Sequence, residues 1–209
     1  MAHPADDLLL SFATGRADLP HRVMIEAHLA GCAPCRAAVA EVSAPGGALL
    51  SGLAAEAPSA ALWNRVLSGI EAPRRPRPSL LASLPLPEAA LAELPEIPQL
   101  RWRWGFAPGG RYAGLVRDPF TNSFLLIGHV PPRRAFPRHQ HLGPEDVVLL
   151  RGGYEDEMGH YEAGQYVVYA PGTVHRPIVE PGEECWILTR LEKPNRLLGW
   201  AGWLQRLTS

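Results

Sequence analysis

The proline-rich segment between residues 71 and 100 is the feature that most limits how this chain can fold. A proline inside a helix removes a backbone N–H and clashes with the preceding turn. Seven prolines at this density exclude a continuous helix, so we predict an extended linker over residues 73–100 with one helical turn near residues 88–94. The prolines are Pro73, Pro76, Pro78, Pro85, Pro87, Pro95 and Pro98.

The first half of the chain is rich in alanine and leucine and predicts a small helical domain over residues 1–72. One helix is expected to start at Pro34, because proline suits the first turn. The Ala-Pro-Gly-Gly stretch at residues 44–47 is expected to break or kink it. Ser59 is placed as the N-cap of the last helix. The other helices are expected over residues 5–15, 19–31 and 59–70.

Short stretches of Val, Ile, Leu and Tyr, separated by Gly and Pro, fill the second half of the chain. Such stretches at regular spacing are typical of strands in a sandwich or barrel. We therefore predict an all-β domain over residues 101–195, followed by a C-terminal helix over residues 196–209. The expected fold class is multidomain α and β, with a small helical bundle in front of a β-barrel.

The composition excludes some functions and indicates a compartment. A net charge of −1 gives no electrostatic sign of a protein that binds nucleic acid or a membrane surface. The N-terminus lacks the basic residues of a signal peptide, and no apolar run approaches the roughly 20 residues of a membrane helix. Three cysteines without an export signal indicate a reducing environment. We expect a soluble cytoplasmic protein.

A histidine and two cysteines at a predicted helix–helix corner suggest a first metal site. His28 and Cys32 are four residues apart and share a helix face, and Cys35 returns beside them at the start of the next helix. Thiolates and imidazoles suit tetrahedral zinc, whose fourth ligand would be His3 or His21. The alternative is that the cysteines are buried as apolar residues. A zinc ion would also stabilise a small domain with an alanine-rich core.

Three histidines and a glutamate in the second half suggest another metal site. Residues two apart on a strand point to the same face, so His139 and His141 can enter one barrel interior. Glu145 follows from the next turn or strand, and His175 comes after a Pro-Gly turn. This donor set suits a divalent transition metal: zinc first, with manganese, iron and nickel as alternatives. Cys185, on a predicted strand, is interpreted as a packed core residue.

The second half resembles a cupin, a jelly-roll barrel that binds metal. Two positions differ from the cupin pattern: Arg133 stands where a glycine is usual, and the proline of the second motif is displaced to Pro171. Neither position is a metal ligand. The matching residues are His139, His141, Glu145 and Gly152 in the first motif, and Gly164, Gly172 and His175 in the second.

The first half resembles the zinc-binding anti-sigma domain, whose mark is H-x3-C-x2-C with an additional N-terminal histidine. His28, Cys32 and Cys35 fit this pattern, and the resemblance favours His3 as the fourth ligand. One domain of each kind, in this order, is similar to the ChrR-type anti-sigma factors. The resemblance covers almost the whole chain apart from the linker.

The resemblance to ChrR-type proteins implies a function in transcription regulation. Such proteins hold an extracytoplasmic-function sigma factor inactive, expected here as a 1:1 complex, and release it under singlet oxygen or related oxidants. The helical domain would bind sigma, with helix 59–70 swung out to clasp it, and the cupin domain would serve the response. The signal would reach the zinc-bound thiolates directly, enter through the barrel metal, or arrive through another factor. The rival functions are a cupin dioxygenase or isomerase and a cupin that stores metal or binds a small ligand.

Overall fold

The computed structural model describes residues 2–71, 83–97, 99–105, 107–199 and 201–203. Residues 73–82 of the predicted linker lie outside the described residues, as do Trp200 and positions 204–209 of the predicted C-terminal helix. Within the described ranges, no helix is long and apolar enough to cross a membrane.

The first half is helical, with bounds close to those predicted. Asp18 caps α2 by accepting a hydrogen bond from the backbone N–H of His21, and Ser59 Oγ accepts one from Leu62 at the start of α4. The predicted break at residues 44–47 is wrong, because α3 continues through Pro45. The helices are α1 Asp6–Ala13, α2 Leu19–Gly31, α3 Ala33–Ser51, α4 Ala60–Glu71 and, in the predicted linker, α5 Glu88–Glu93.

The second half forms antiparallel sheets, so the expected combination of a helical bundle and a cupin-like barrel is confirmed. The described strands form one six-stranded sheet, β1-β2-β3-β11-β5-β8, and two three-stranded sheets, β10-β6-β7 and β12-β4-β9. We call residues 103–197 the barrel domain. Its strands are β1 Arg103–Trp104, β2 Arg111–Arg117, β3 Phe124–Val130, β4 His139–Gln140, β5 Glu145–Arg151, β6 Gly153–Asp156, β7 Gly159–Glu162, β8 Tyr166–Tyr169, β9 Val174–His175, β10 Ile178–Val179, β11 Cys185–Leu191 and β12 Arg196–Leu197.

Two boundaries differ from the sequence prediction. Residues 196–197 form β12, paired with β4, so helical structure in the described C-terminus begins after the position expected. The later part of the linker is not extended in solvent, because Leu84, Ala90 and Leu100 are buried in the main core. Proline excludes a long helix but leaves apolar side chains free to pack. The assignment of residues 73–100 as a linker between two domains remains a prediction.

The helical and barrel domains share one hydrophobic core. The outer face of the six-stranded sheet, which includes Ile127, Val148 and Leu188, is buried together with Val23 and Met24 of α2. Helix α2 contacts β2, β5 and β11, and it also packs against α5. Alternate residues of the same strands face the barrel interior, because strand side chains alternate between faces. The sheet is therefore covered on both sides.

A buried ionic network joins α2 to the sheet. Asp18 Oδ2 lies 3.2 Å from Arg190 Nη2, and Asp146 Oδ2 lies 3.3 Å from Arg190 Nη1. His21 bridges the same carboxylates, with Nδ1 2.7 Å from Asp18 and Nε2 3.5 Å from Asp146. Burial alone would lower the pKa of His21, but contacts with Asp146 and Asp18 raise it. Burial alone would raise the pKa of Asp18, but His21 and Arg190 hold it well below its usual range.

By contrast, the second half of α3 and α4 as far as Ile70 are exposed to solvent. Every residue from 40 to 70 is exposed. The apolar side chains of α4 lie one and four residues apart, so they form a continuous stripe along one helix face. This α4 stripe consists of Leu62, Trp63, Val66, Leu67 and Ile70.

We expect Arg190→Met to destabilise the protein by about 3–5 kcal/mol, because it removes the guanidinium that pairs with two buried carboxylates and leaves only His21 between them. The matched control is Arg151→Met, whose side chain is 53% exposed and pairs with Glu183 and Glu184 at the surface. The control should cost much less, because exposed ion pairs contribute little to stability. Denaturant unfolding of the metal-loaded proteins measures both, and equal losses would contradict a structural role for the network.

Candidate metal centres

The four predicted ligands of the helical site converge in the structure. His3 Nδ1 lies 3.4 Å from Cys32 Sγ and 3.3 Å from Cys35 Sγ, and His28 Nε2 lies 3.3 Å from Cys35 Sγ. The four donor atoms all lie within 4.8 Å of one another. A tetrahedral zinc ion places its nitrogen and sulfur ligands about 3.6 Å apart, so the geometry suits zinc. His3 is exposed, whereas the other three side chains are buried.

The chain brings these ligands together through its local geometry. His28 lies in the last turn of α2, and Cys32 is both the C-cap of α2 and the N-cap of α3. Cys35 follows in the first turn of α3, so the tight corner turns it back toward His28. Burial and the adjacent Cys32 raise the pKa of Cys35 to about 11, so a metal has to displace the thiol proton when it binds.

The alternative fourth ligand, His21, is not at this site. It lies at the interface between the helical and barrel domains, where it contacts Asp18 and Asp146. His3, which the resemblance favours, is the histidine that lies with the other three predicted ligands, and its assignment as the fourth ligand remains a prediction.

The three predicted barrel histidines form a second cluster. His175 Nε2 lies 2.9 Å from Nε2 of both His139 and His141. Nδ1 of His139 donates to the Pro137 carbonyl, and Nδ1 of His175 donates to Asp156. Because the proton of each ring is on Nδ1, the two Nε2 atoms carry lone pairs that point toward each other. A cation between them would stabilise this arrangement.

Burial favours the neutral form of His139 and His175, which is the form that binds metal. Burial, together with the charge of His175, lowers the pKa of His139 to about 4. Burial also lowers the pKa of His175, in spite of the opposing effect of Asp156. The residues present fit a divalent metal held by three imidazoles.

Glu145 lies beside this cluster rather than within it. Its Oε2 lies 2.9 Å from Nδ1 of His141, but the geometry is unsuitable for a hydrogen bond between them. The same oxygen accepts a hydrogen bond from the side-chain amide of Asn195. The carboxylate also borders the barrel cavity. Its assignment as the fourth ligand remains a prediction.

Asp156 was missed by the sequence analysis. Its Oδ2 lies 2.7 Å from His175 Nδ1 and 3.0 Å from the hydroxyl of Tyr169, which donates to it. The Tyr169 ring stacks on His141. Asp156 ends β6, thirteen residues before Tyr169, and no spacing rule connects it to the histidines. An aspartate that orients a ligating histidine commonly strengthens metal binding.

A cavity of about 340 Å³ extends from the histidines through the barrel interior. Its walls are mostly apolar and include Leu126, Val147 and Ile187. Cys185 also lines it and, as predicted, is a buried residue, where burial raises the pKa of its thiol to about 12. A cavity of this size and lining suits a small apolar molecule.

Arg133, which stands where cupins usually have glycine, adopts the backbone conformation that glycine would have. Its φ is +59°, in the left-handed region that glycine adopts without strain. The backbone thus has the conformation for which cupins usually have glycine, and the Arg133 N–H donates to the Val179 carbonyl at 3.0 Å.

The fold and the two clusters define a class: a helical domain with a two-cysteine, two-histidine site, joined to a cupin-like barrel with a three-histidine site. Residues 93–194 match the family model of the ChrR cupin-like domain, and residues 4–36 match the model described as "Putative zinc-finger". The two matches stand in the same order as the two domains of the ChrR-type proteins, to which the chain is similar.

Individual proteins and solved structures are similar to the chain to different extents. The anti-sigma-E factor ChrR of Cereibacter sphaeroides is 27% identical over 197 residues, which make up 93% of this chain and 91% of that protein. A chain in the crystal structure of Rhodobacter sphaeroides SigE in complex with the anti-sigma ChrR matches with a TM-score of 0.65 and 27% identity, over 91% of this chain and 98% of that chain. An acetylacetone dioxygenase from Acinetobacter johnsonii matches with a TM-score of 0.42 and 22% identity, over 63% of this chain and 81% of that chain.

We expect Asp156→Asn to weaken metal binding in the barrel by about 10–100-fold, because the charge that orients His175 is lost. Its neighbour Glu155 is exposed, so Glu155→Gln is the matched control and should bind metal normally. Chelator competition, with the helical site already loaded with zinc, measures the barrel affinity. Equal affinities of the two variants would exclude this role for Asp156.

Proposed function

We propose that this chain is an anti-sigma factor that sequesters an extracytoplasmic-function sigma factor through its helical domain, in a 1:1 complex. The proposal is supported by the match to the ChrR cupin-like domain model, by the likeness to the anti-sigma-E factor ChrR, and by the likeness to a chain whose solved complex contains SigE. The zinc ion would fix the corner between α2 and α3. We expect the protein to act in the cytoplasm, where sigma factors bind RNA polymerase.

The observation that carries the proposal is the exposed α4 stripe. Monomeric proteins rarely leave such a contiguous apolar surface in water, and larger patches mark binding sites. Trp63 is 53% exposed and Ile70 is 74% exposed, at opposite ends of the stripe. An amphipathic helix of this kind binds by laying its apolar face in a partner's groove. Because α4 does not pack against the common core, its apolar face is free to bind a partner in this way.

We further propose that oxidants of the singlet-oxygen type release sigma. Zinc-bound thiolates are targets of oxidation, so loss of Cys32 and Cys35 as ligands would undo the α2–α3 corner. A second route starts at the barrel metal, for which zinc is our first assignment and manganese, iron or nickel the alternatives. This route needs only that the barrel contact α2, as it does here.

A second candidate function is favoured by the barrel cavity. Three imidazoles beside an apolar cavity of about 340 Å³ are suited to a metal-dependent dioxygenase or isomerase, with the helical domain as an accessory. Substitution of the barrel ligand His139 by alanine separates the two functions. An enzyme loses turnover, whereas a regulator retains sigma binding and loses only its response to oxidants.

We expect Cys35→Ser to abolish sigma binding, because it removes a zinc ligand at the α2–α3 corner. Affinity purification from unstressed native cells, with mass spectrometry, identifies the partner, and binding of the purified partner is then measured. Cys185→Ala, at the buried cysteine of the barrel, is the control and should retain binding. Tight binding by Cys35→Ser would contradict a structural role for zinc.

We expect Trp63→Ala to weaken sigma binding at least tenfold, since large aromatic residues dominate interface energies. The same change should alter the free energy of unfolding by about 0.5 kcal/mol or less, because the side chain is exposed. Asn64→Ala, on the opposite face of α4, is the matched control. Calorimetric titration compares them, and an unchanged affinity of Trp63→Ala would exclude the α4 stripe as the contact surface.

A further inference from the structure

The zinc site of the helical domain contacts the barrel domain. Nδ1 of the buried ligand His28 lies 2.7 Å from the backbone carbonyl of Gly164. A carbonyl only accepts hydrogen bonds, so Nδ1 carries the proton and Nε2 presents its lone pair to Cys35 and the metal. The barrel therefore selects the tautomer of His28 that can bind zinc through Nε2.

The same turn of the barrel also holds the segment that carries His3. The backbone N–H of Tyr166 donates to the Ala2 carbonyl at 3.0 Å, next to His3. The side chain of Ala2 packs against the core cluster of the barrel interior. Because the N-terminal segment would otherwise be free to move, this contact reduces the entropy that zinc binding has to overcome.

The turn itself is held firmly by the barrel. The Gly164 N–H donates to the Leu149 carbonyl at 2.8 Å, and the Leu149 N–H donates to the Gln165 carbonyl at 3.2 Å. Gly164 has a φ of +87°, which other residues rarely adopt. The carbonyl that meets His28 is thus placed by β5, not by the helical domain.

We propose that this barrel turn, residues 163–165 with the N–H of Tyr166, is an outer part of the helical zinc site. It positions two of the four ligands: His28 through the Gly164 carbonyl, and His3 through the backbone at Ala2. Zinc binding and the docking of the two domains are consequently coupled, and the coupling is reciprocal. The proposal uses zinc alone and does not depend on the identity of the protein partner.

The coupling extends toward the barrel metal. The turn leads directly into β8, and Tyr169 at the end of β8 stacks on His141 and donates to Asp156. One short strand therefore contacts the zinc ligands at one end and the barrel histidines at the other. A change at the barrel metal has a direct structural path to His28 through this strand.

The first test is the Gly164→Ala variant of the full chain. A side chain at this φ forces the turn to move, which withdraws the carbonyl from His28. We expect zinc affinity at the helical site to fall by about 10–100-fold, the usual effect of losing such a partner. With cobalt in place of zinc, the thiolate charge-transfer band should shift. Circular dichroism and thermal melting establish that the variant is folded.

Gly182→Ala is the matched control, because Gly182 also has a positive φ, +110°, and a side chain there would enter open space. It should bind zinc like the unmodified protein. If folded Gly164→Ala binds zinc as tightly as the control, the barrel turn has no part in the site and the proposal is wrong.

A second measurement uses the unmodified, zinc-loaded protein and so does not depend on the folding of a variant. Nitrogen-15 NMR of the histidine rings should show His28 bound to zinc through Nε2, with a slowly exchanging proton on Nδ1. Zinc bound through Nδ1, or rapid exchange of that proton, would overturn the proposal.

Discussion

The seating of α2 on the outer face of the six-stranded sheet is the interaction on which the rest of the structure depends. Antiparallel sheets often leave one face in water, but here Ile127, Val148 and Leu188 are fully buried on that face. This burial places Asp18 and His21 opposite Arg190, and it brings the end of α2 to the barrel turn. The candidate zinc site, the ionic network and the common core all depend on this one contact surface.

The same packing separates the helical half into two parts with different roles. Helices α1 and α2 and the start of α3 are fixed by the core and the candidate zinc site. Beyond residue 40 the chain is exposed as far as residue 70, including the α4 stripe. A rigid base with a free amphipathic arm is suited to a protein that closes around a partner. A metal bound at the candidate zinc site would add rigidity at the α2–α3 corner, where the helix that leads to this arm begins.

The two metal clusters rely on burial in different ways. In the barrel, burial lowers the pKa of His139 and His175, which keeps the imidazoles neutral and ready to bind metal. In the helical domain, burial raises the pKa of Cys35, so the thiolate depends on the metal for its stability.

The amino-acid sequence alone was enough to predict the helices, most strands and the residues of both clusters. Ligand spacing is a local property: four residues on a helix place His28 beside Cys32, and two residues on a strand place His139 beside His141. Only the tertiary structure placed His21 at the domain interface, found Asp156 behind His175, and placed the Gly164 carbonyl against His28. Those contacts join residues far apart in the chain, and their partners are fixed by how α2 packs on the sheet, which no local spacing encodes.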